Sequence, residues 1–101
     1  MIRINSEQFD SEVKNGTYVF IVKDCYLCRE YLRELKNNNV DTGNWYLINC
    51  SDDEDYYLDM QHIDGLPTTR IYNDNVVMVE KNGVLYEKQL REITEYKWYN
   101  T

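Results

Sequence analysis

The chain has 101 residues, of which 43% are hydrophobic, and a formal net charge of −7 at pH 7. This length predicts a single domain spanning residues 1–101, which can bury a modest core without a disulfide scaffold. The acidic balance argues against binding to nucleic-acid phosphates or to an anionic membrane surface, because both need Lys and Arg.

The first predicted elements are a strand and a helix. The strand covers Ile2 to Ile4, and the helix after it has Asn5 or Ser6 as a candidate N-cap residue. Phe9 and Val13 are one helical turn apart and are expected to share the buried face of this helix.

A turn at Asn15-Gly16 is expected to end the first helix. The apolar run from Tyr18 to Val22 then predicts a strand that is buried on both faces. A second amphipathic helix is predicted from about Cys25 to Lys36. Its inner stripe would consist of Leu27, Cys28, Tyr31, Leu32 and Leu35.

The second half of the chain predicts three more strands and two helices. A strand from Trp45 to Cys50 precedes cap-forming residues and a short helix that ends near Gln61. Strands at Thr68–Tyr72 and Val76–Lys81 follow, and a last amphipathic helix starts near Leu85. Its apolar line would be Tyr86, Leu90 and Ile93 with Lys97. The order β-α-β-α-β-α-β-β-α predicts an α/β fold with a central mixed sheet flanked by helices.

Two cysteines, Cys25 and Cys28, connect the buried strand to the second helix. A strand that delivers a Cys-x-x-Cys motif to a helix start is the setting for dithiol redox chemistry. The helix N-terminus carries partial positive charge and free N–H groups, which favour a thiolate on Cys25. Cys25 would attack a disulfide, and Cys28 would resolve the mixed disulfide, so no metal and no organic cofactor are expected.

Other interpretations of the cysteines remain open. Cys25, Cys28, Cys50 and His62 could form a Cys₃His zinc set, although structural zinc sites usually pair two closely spaced ligand turns. Cys50 is expected to be a small buried side chain, with a regulatory thiol as the alternative. His62 is expected at the surface, where a helix ends, rather than as a catalytic base.

The start of the chain, Met1 to Ile4, is too short and too polar for a signal peptide, and no apolar run approaches the length of a membrane span. We therefore expect a cytoplasmic protein. Thiols are kept reduced in that compartment, which favours a redox-active or metal-binding pair over a structural disulfide.

Three further motifs accompany the cysteine pair: Phe9-Asp10 in the first helix, Gly65-Leu66-Pro67-Thr68 well after the cysteines, and Gly83 in a loop. Together with Cys25-Tyr26-Leu27-Cys28 they resemble thioredoxin over nearly the whole chain. The resemblance implies a thioredoxin fold and a redox-active Cys25–Cys28 disulfide.

The same resemblance implies a substrate-binding surface. Pro67 would follow a cis peptide bond, and the backbone of Leu66 would pair with a substrate chain as an added strand. Tyr26, Thr68 and Gly83 would complete this surface. By resemblance, a monomer would take electrons from thioredoxin reductase and pass them to protein disulfides, such as that of ribonucleotide reductase.

The chain also departs from the thioredoxin pattern. Tyr26-Leu27 replaces Gly-Pro between the cysteines, and the family's buried aspartate and its lysine partner fall on Val19 and Ile48. The residue at position 27 regains an N–H, and we expect the Leu27 N–H to point at the sulfur of Cys25. Together with the missing acid, this predicts a couple more oxidising than the roughly −270 mV of thioredoxin.

An aromatic residue inside the motif, Tyr26, is instead typical of glutaredoxin, so glutathione remains an alternative electron donor. Glutaredoxins lack the first strand and helix, however, and Lys81-Asn82-Gly83 stands where their glutathione site has Gly-Gly-Asp. A third alternative is a non-enzymatic thioredoxin-fold module for interaction or zinc binding. The composition is rich in Asn, Tyr and Asp, which suggests an AT-rich genome and fits a phage-encoded protein.

Overall fold

The structure is a computed structural model that describes residues 1–96. The strands in this part of the chain are β1 (Ile2–Ile4), β2 (Gly16–Ile21), β3 (Tyr46–Asn49), β4 (Thr68–Asn73) and β5 (Val76–Asn82). The α-helices are α1 (Ser6–Ser11), α2 (Tyr26–Asn37) and α3 (Glu87–Thr94). A 3₁₀ turn at Cys50–Asp52 and a π-helical turn at Tyr56–Met60 connect β3 to β4.

The strands form one mixed sheet in the order β1-β3-β2-β4-β5. β1 and β2 both pair with β3 in parallel, whereas β4 pairs antiparallel with β2 and with β5. β2 therefore lies in the middle with a neighbour on each side. This confirms the predicted α/β fold with a central mixed sheet.

Helices cover both faces of the sheet, and the alternation of side chains along β2 shows why. Val19 packs on one face in a core with side chains from α2 and α3. Tyr18 and Phe20 point to the other face and pack against Phe9 of α1. The Phe9 ring lies edge-on to these two rings, with centroids 5.8 and 5.5 Å away. Both faces of β2 are thus buried, as its continuous apolar run predicts.

The first helix is shorter than predicted. Asn5 is its N-cap residue and accepts the backbone N–H of Gln8 at 2.8 Å, but the helix ends at Ser11. Val13 is 60% exposed and shares no buried face with Phe9, so that prediction was wrong. Beyond the helix the chain bonds with the β4–β5 turn, where Lys14 donates its backbone N–H to Asn75 Oδ1 at 2.8 Å.

The inner stripe of α2 also differs in one member. Cys28, Tyr31 and Leu35 are buried as predicted, but Leu27 is 50% exposed. Each helical residue turns by about 100°, so Leu27 lies on the flank of the stripe that the other three residues define. Its side chain therefore remains at the surface near the motif.

The predicted third helix is replaced by the 3₁₀ and π-helical turns. Only Tyr57 is buried in the π-helical turn, so packing does not impose a regular helical stripe there. The last helix begins at Glu87, two residues after the buried Leu85. The predicted position of Lys97 lies outside the described residues.

Within residues 1–96, no helix has both the length and the apolar character that crossing a bilayer requires.

Candidate active site

Cys25 stands where the central strand passes into α2. After β2 ends, Asp24 takes a positive φ of 58°, which turns the chain before the helix begins. The preceding residue, Lys23, donates its backbone N–H to Ser51 Oγ at 2.8 Å and so ties this loop to the 3₁₀ turn. Cys25 is then the N-cap residue of α2 and is partly exposed.

The two cysteines of the motif contact each other directly, as free thiols. The backbone N–H of Cys28 donates to Cys25 Sγ at 3.1 Å. Leu27 was expected to supply this donor, and that expectation was wrong. An N-cap side chain accepts from the second or third helical residue, and Cys28 is the third. The N-cap rule applied to the sequence would have allowed this assignment.

The environments of the two sulfurs differ. Cys28 is only 2% exposed. Burial, with a smaller contribution in the same direction from the hydrogen bond to the Cys25 side chain, raises the pKa of its thiol from 9.0 to about 11. The backbone at Val22 and the charge of Arg29 lower this pKa by less. Cys28 therefore keeps its proton at neutral pH, whereas Cys25 is the sulfur that solvent reaches.

Val19 is an apolar, fully buried residue in the core between the sheet and the helices α2 and α3. The prediction that Ile48 occupies the position of the family's lysine partner was wrong, because Ile48 packs on the opposite face of the sheet from Val19. Leu47 is the residue paired with Val19 in the register, and both belong to the same core. This apolar pair needs no compensating charge, since a lone buried charge would be costly.

The segment around Pro67 lies at the same edge of the sheet as the motif. Thr68 opens β4 opposite Phe20 of β2, so the residues before Thr68 and those after β2 meet there. The Leu66–Pro67 bond is cis. Gly83 donates its backbone N–H to the Pro67 carbonyl at 2.8 Å, which brings two of the proposed substrate-binding residues together. Gly83 has a φ of +84°, a conformation that favours glycine.

Not every proposed substrate-binding side chain is accessible. Thr68 is fully buried, and its hydroxyl bonds to Gly65 O and to Asn82 Oδ1. Tyr26 is 67% exposed. Leu66 is partly buried and lines an apolar cavity of about 190 Å³ that also reaches Cys50. The sequence alone does not predict this cavity, because its walls come from segments far apart in the chain.

The residues proposed for a zinc set do not assemble. Cys50 is 1% exposed, as expected for a small buried side chain, and burial raises its pKa to about 12. His62 is exposed and has a φ of 54°. Among residues 1–96 there is no group of three or more His, Cys, Asp or Glu side chains that could hold a metal ion.

Comparison with solved structures identifies the fold of the chain. The chain matches no protein-family model and no curated protein. Among solved structures it is similar to Chlamydomonas reinhardtii thioredoxin f2, with 20% identity, a TM-score of 0.73 and 97% of each chain covered. The chain has the thioredoxin fold.

Two further thioredoxins support the same fold. The Malassezia sympodialis protein has 16% identity and a TM-score of 0.71, with 94% of this chain and 90% of the other covered. The Plasmodium falciparum protein has 14% identity and a TM-score of 0.70, with 96% and 100% covered. At such identities the likeness establishes the thioredoxin fold and leaves the activity to be argued from the site.

Proposed function

We propose that this protein is a thiol–disulfide oxidoreductase that acts on protein disulfides through the couple Cys25–Cys28. The observation that carries the proposal is the hydrogen bond from the Cys28 N–H to Cys25 Sγ at the exposed start of α2, beside a buried Cys28 thiol. The Cys25 sulfur is accessible and accepts an N–H hydrogen bond, which suits a thiolate. The Cys28 sulfur is protected and protonated.

The reaction follows from this division of roles. The Cys25 thiolate attacks a substrate sulfur, the substrate S–S bond breaks, and one substrate thiolate leaves while a mixed disulfide forms. Cys28 then loses its proton and attacks Cys25 Sγ, which releases the second substrate thiolate and leaves a Cys25–Cys28 disulfide. Two electrons pass to the substrate, and no organic cofactor takes part.

The proton of Cys28 needs an acceptor in the second step. Val19 and Leu47 form an apolar pair in the core, so neither can take it. The leaving substrate thiolate and solvent at the surface are the remaining acceptors. Resolution of the mixed disulfide should therefore be slow compared with the first attack, because burial holds the Cys28 pKa well above neutrality.

Substrate and electron donor follow the resemblance to thioredoxin. A substrate chain would run alongside the Leu66 backbone as an added strand, with Tyr26 and Gly83 at its sides. Reduction by thioredoxin reductase and delivery to protein disulfides, such as that of ribonucleotide reductase, fit a reducing cytoplasm. Glutathione is the alternative donor.

Reduction of insulin disulfides with dithiothreitol as the electron source tests the proposal. The wild-type protein should accelerate insulin precipitation, Cys25→Ser should abolish the acceleration, and Cys28→Ser should lower it strongly. Ser11→Ala, at an exposed position of α1 outside the candidate site, serves as the control and should retain activity. Equal rates with and without Cys25 would contradict the proposal. Regeneration by a thioredoxin reductase or by glutathione with glutathione reductase then separates the two donors.

A further inference from the structure

The cavity beside the dithiol connects two parts of the candidate site. It lies against Val22, in the loop that leads to Cys25, and against Leu66, which precedes Pro67. Cys50, Tyr57, Leu58 and Ile63 complete its apolar lining, and Glu54 adds a charge. Leu58 is 45% exposed, so this wall of the cavity reaches the protein surface.

The size and lining of this cavity suit one apolar side chain. Its volume is about 190 Å³. A cavity of roughly 150 Å³ lined by aliphatic and aromatic residues is large enough to hold benzene. A Leu, Met or Phe side chain that entered it would remove apolar surface from water on both partners.

The segment 51–66 forms most of the cavity wall and is strongly acidic, with Glu54 in the lining itself, and we call this segment the acidic rim. Within the segment 51–66 there is neither Lys nor Arg, and its acidic residues are Asp52, Asp53, Glu54, Asp55, Asp59 and Asp64. Asp52 accepts a hydrogen bond from Ser6 Oγ at 2.9 Å and faces α1. Glu54, Asp55 and Asp59 are exposed. On the loop before the motif, Lys23 is followed by Asp24, so this pair adds no net charge beside the acidic rim.

We propose that this cavity selects the substrates of the dithiol, an inference that rests on the proposed function. It takes an apolar side chain next to the target cysteine of a partner protein, and the acidic rim favours partners with Lys or Arg beside that residue. A chain paired with the Leu66 backbone passes the mouth of the cavity, so one of its alternating side chains can enter. Charge complementarity then raises the rate of productive encounter.

Symmetric peptide disulfides provide the test. Four short peptides, each with one cysteine, are oxidised to disulfide-linked dimers. The residue next to the cysteine is Leu or Asn, and the two residues after it are Lys-Lys or Glu-Glu, in all four combinations. The reduced protein is mixed with each dimer, quenched with acid and separated by chromatography, which gives a second-order rate constant. Each constant is divided by the rate of the same dimer with dithiothreitol, because neighbouring charge alone alters thiol reactivity.

The Leu-Lys-Lys dimer should react roughly tenfold faster than the Leu-Glu-Glu dimer at low salt, and the ratio should fall towards one at high salt. The Asn-Lys-Lys dimer should be slower than Leu-Lys-Lys at every salt concentration. Equal normalised rates for all four peptides would overturn the inference and leave the proposed function intact. No reaction with any peptide would overturn both.

Variants assign the selectivity to the cavity. Glu54→Lys should remove most of the preference for Lys-Lys, and Leu58→Asn should remove the preference for Leu. Glu95→Lys is the control, because it makes the same change in net charge away from the cavity. Glu95 follows α3, and the end of α3 lies near the start of β2, at the opposite end of the sheet from Cys25. Loss of selectivity in Glu95→Lys as large as in Glu54→Lys would show that net charge, and not the cavity rim, sets the preference.

Discussion

The backbone N–H of Cys28 donates to Sγ of Cys25 over 3.1 Å, so the amide of the second cysteine of the motif bonds to the sulfur of the first, which is the N-cap residue of α2. The same helical turn that places this amide at Cys25 buries the Cys28 side chain to 2% exposure. One local geometry thus leaves the Cys25 thiol partly exposed and the Cys28 thiol buried.

Mild alkylation should label Cys25 first. Cys25 is partly exposed, whereas Cys28 and Cys50 are almost fully buried, and burial also raises the pKa of both of these thiols. Peptide mapping of reduced protein after brief iodoacetamide treatment should therefore show modification at Cys25 well before the other two. Faster labelling of Cys28 would contradict the assigned roles. Cys28→Ser should trap a mixed disulfide with substrate, and Cys25→Ser should form none.

The residue at position 27 should have little influence on the redox potential through hydrogen bonding. Leu27→Pro removes the Leu27 N–H but leaves the Cys28 N–H that bonds to Cys25. The potential of the couple should change by less than about 30 mV, which corresponds to roughly 1.4 kcal/mol. Equilibration with glutathione buffers, read by mass after alkylation, measures it. A larger fall would restore Leu27 as the controlling donor. A potential above roughly −270 mV in the wild-type protein stays a prediction.

An acid introduced at Val19 should destabilise the fold. Val19 is fully buried next to Leu47, so a carboxylate there has no cationic partner in its core. Val19→Asp should lower the free energy of unfolding at pH 7 by about 3–5 kcal/mol, compared with about 2 kcal/mol for Val19→Ala.

Burial raises the pKa of such a carboxyl, so the deficit should shrink as the pH falls and the group becomes neutral. Val19→Asn is the matched control and should show no such pH dependence. Urea denaturation at pH 7 and pH 4.5 measures both effects. A Val19→Asp variant as stable as Val19→Ala at pH 7 would contradict this account of the core.

Alkaline pH should destabilise the protein partly through Cys50. Burial raises the pKa of this thiol from 9.0 to about 12, and the nearby Asp52 and Cys28 add to the shift. Between these values the unfolded chain releases a proton that the folded protein keeps, so the free energy of unfolding falls as the pH rises from about 9 towards 12. Cys50→Ala should make this fall shallower while lowering stability at neutral pH. An unchanged slope in chemical denaturation would contradict the assignment.

Much of the site could be predicted from local sequence. The apolar run before Cys25 predicts a buried strand, and the periodicity after Cys28 predicts a helix, because both patterns act over a few neighbouring residues. The pair therefore falls at a strand-to-helix junction whatever the rest of the chain does. The donor to Cys25 was assigned to Leu27 and not to Cys28, because the N-cap rule allows either amide and only the geometry of the helix start selects that of Cys28.

The amino-acid sequence by itself determined the succession of the five strands, the burial of β2 on both faces and the position of Cys25 and Cys28 at a strand-to-helix junction. Only the tertiary structure decided that α1 ends at Ser11, that Leu47 and not Ile48 lies beside Val19, and that Cys50 and Leu66 share a cavity. The physical reason is the range of the interactions. Caps and hydrophobic periods depend on neighbouring residues, whereas sheet register, loop anchoring and cavity walls depend on contacts between residues far apart in the chain.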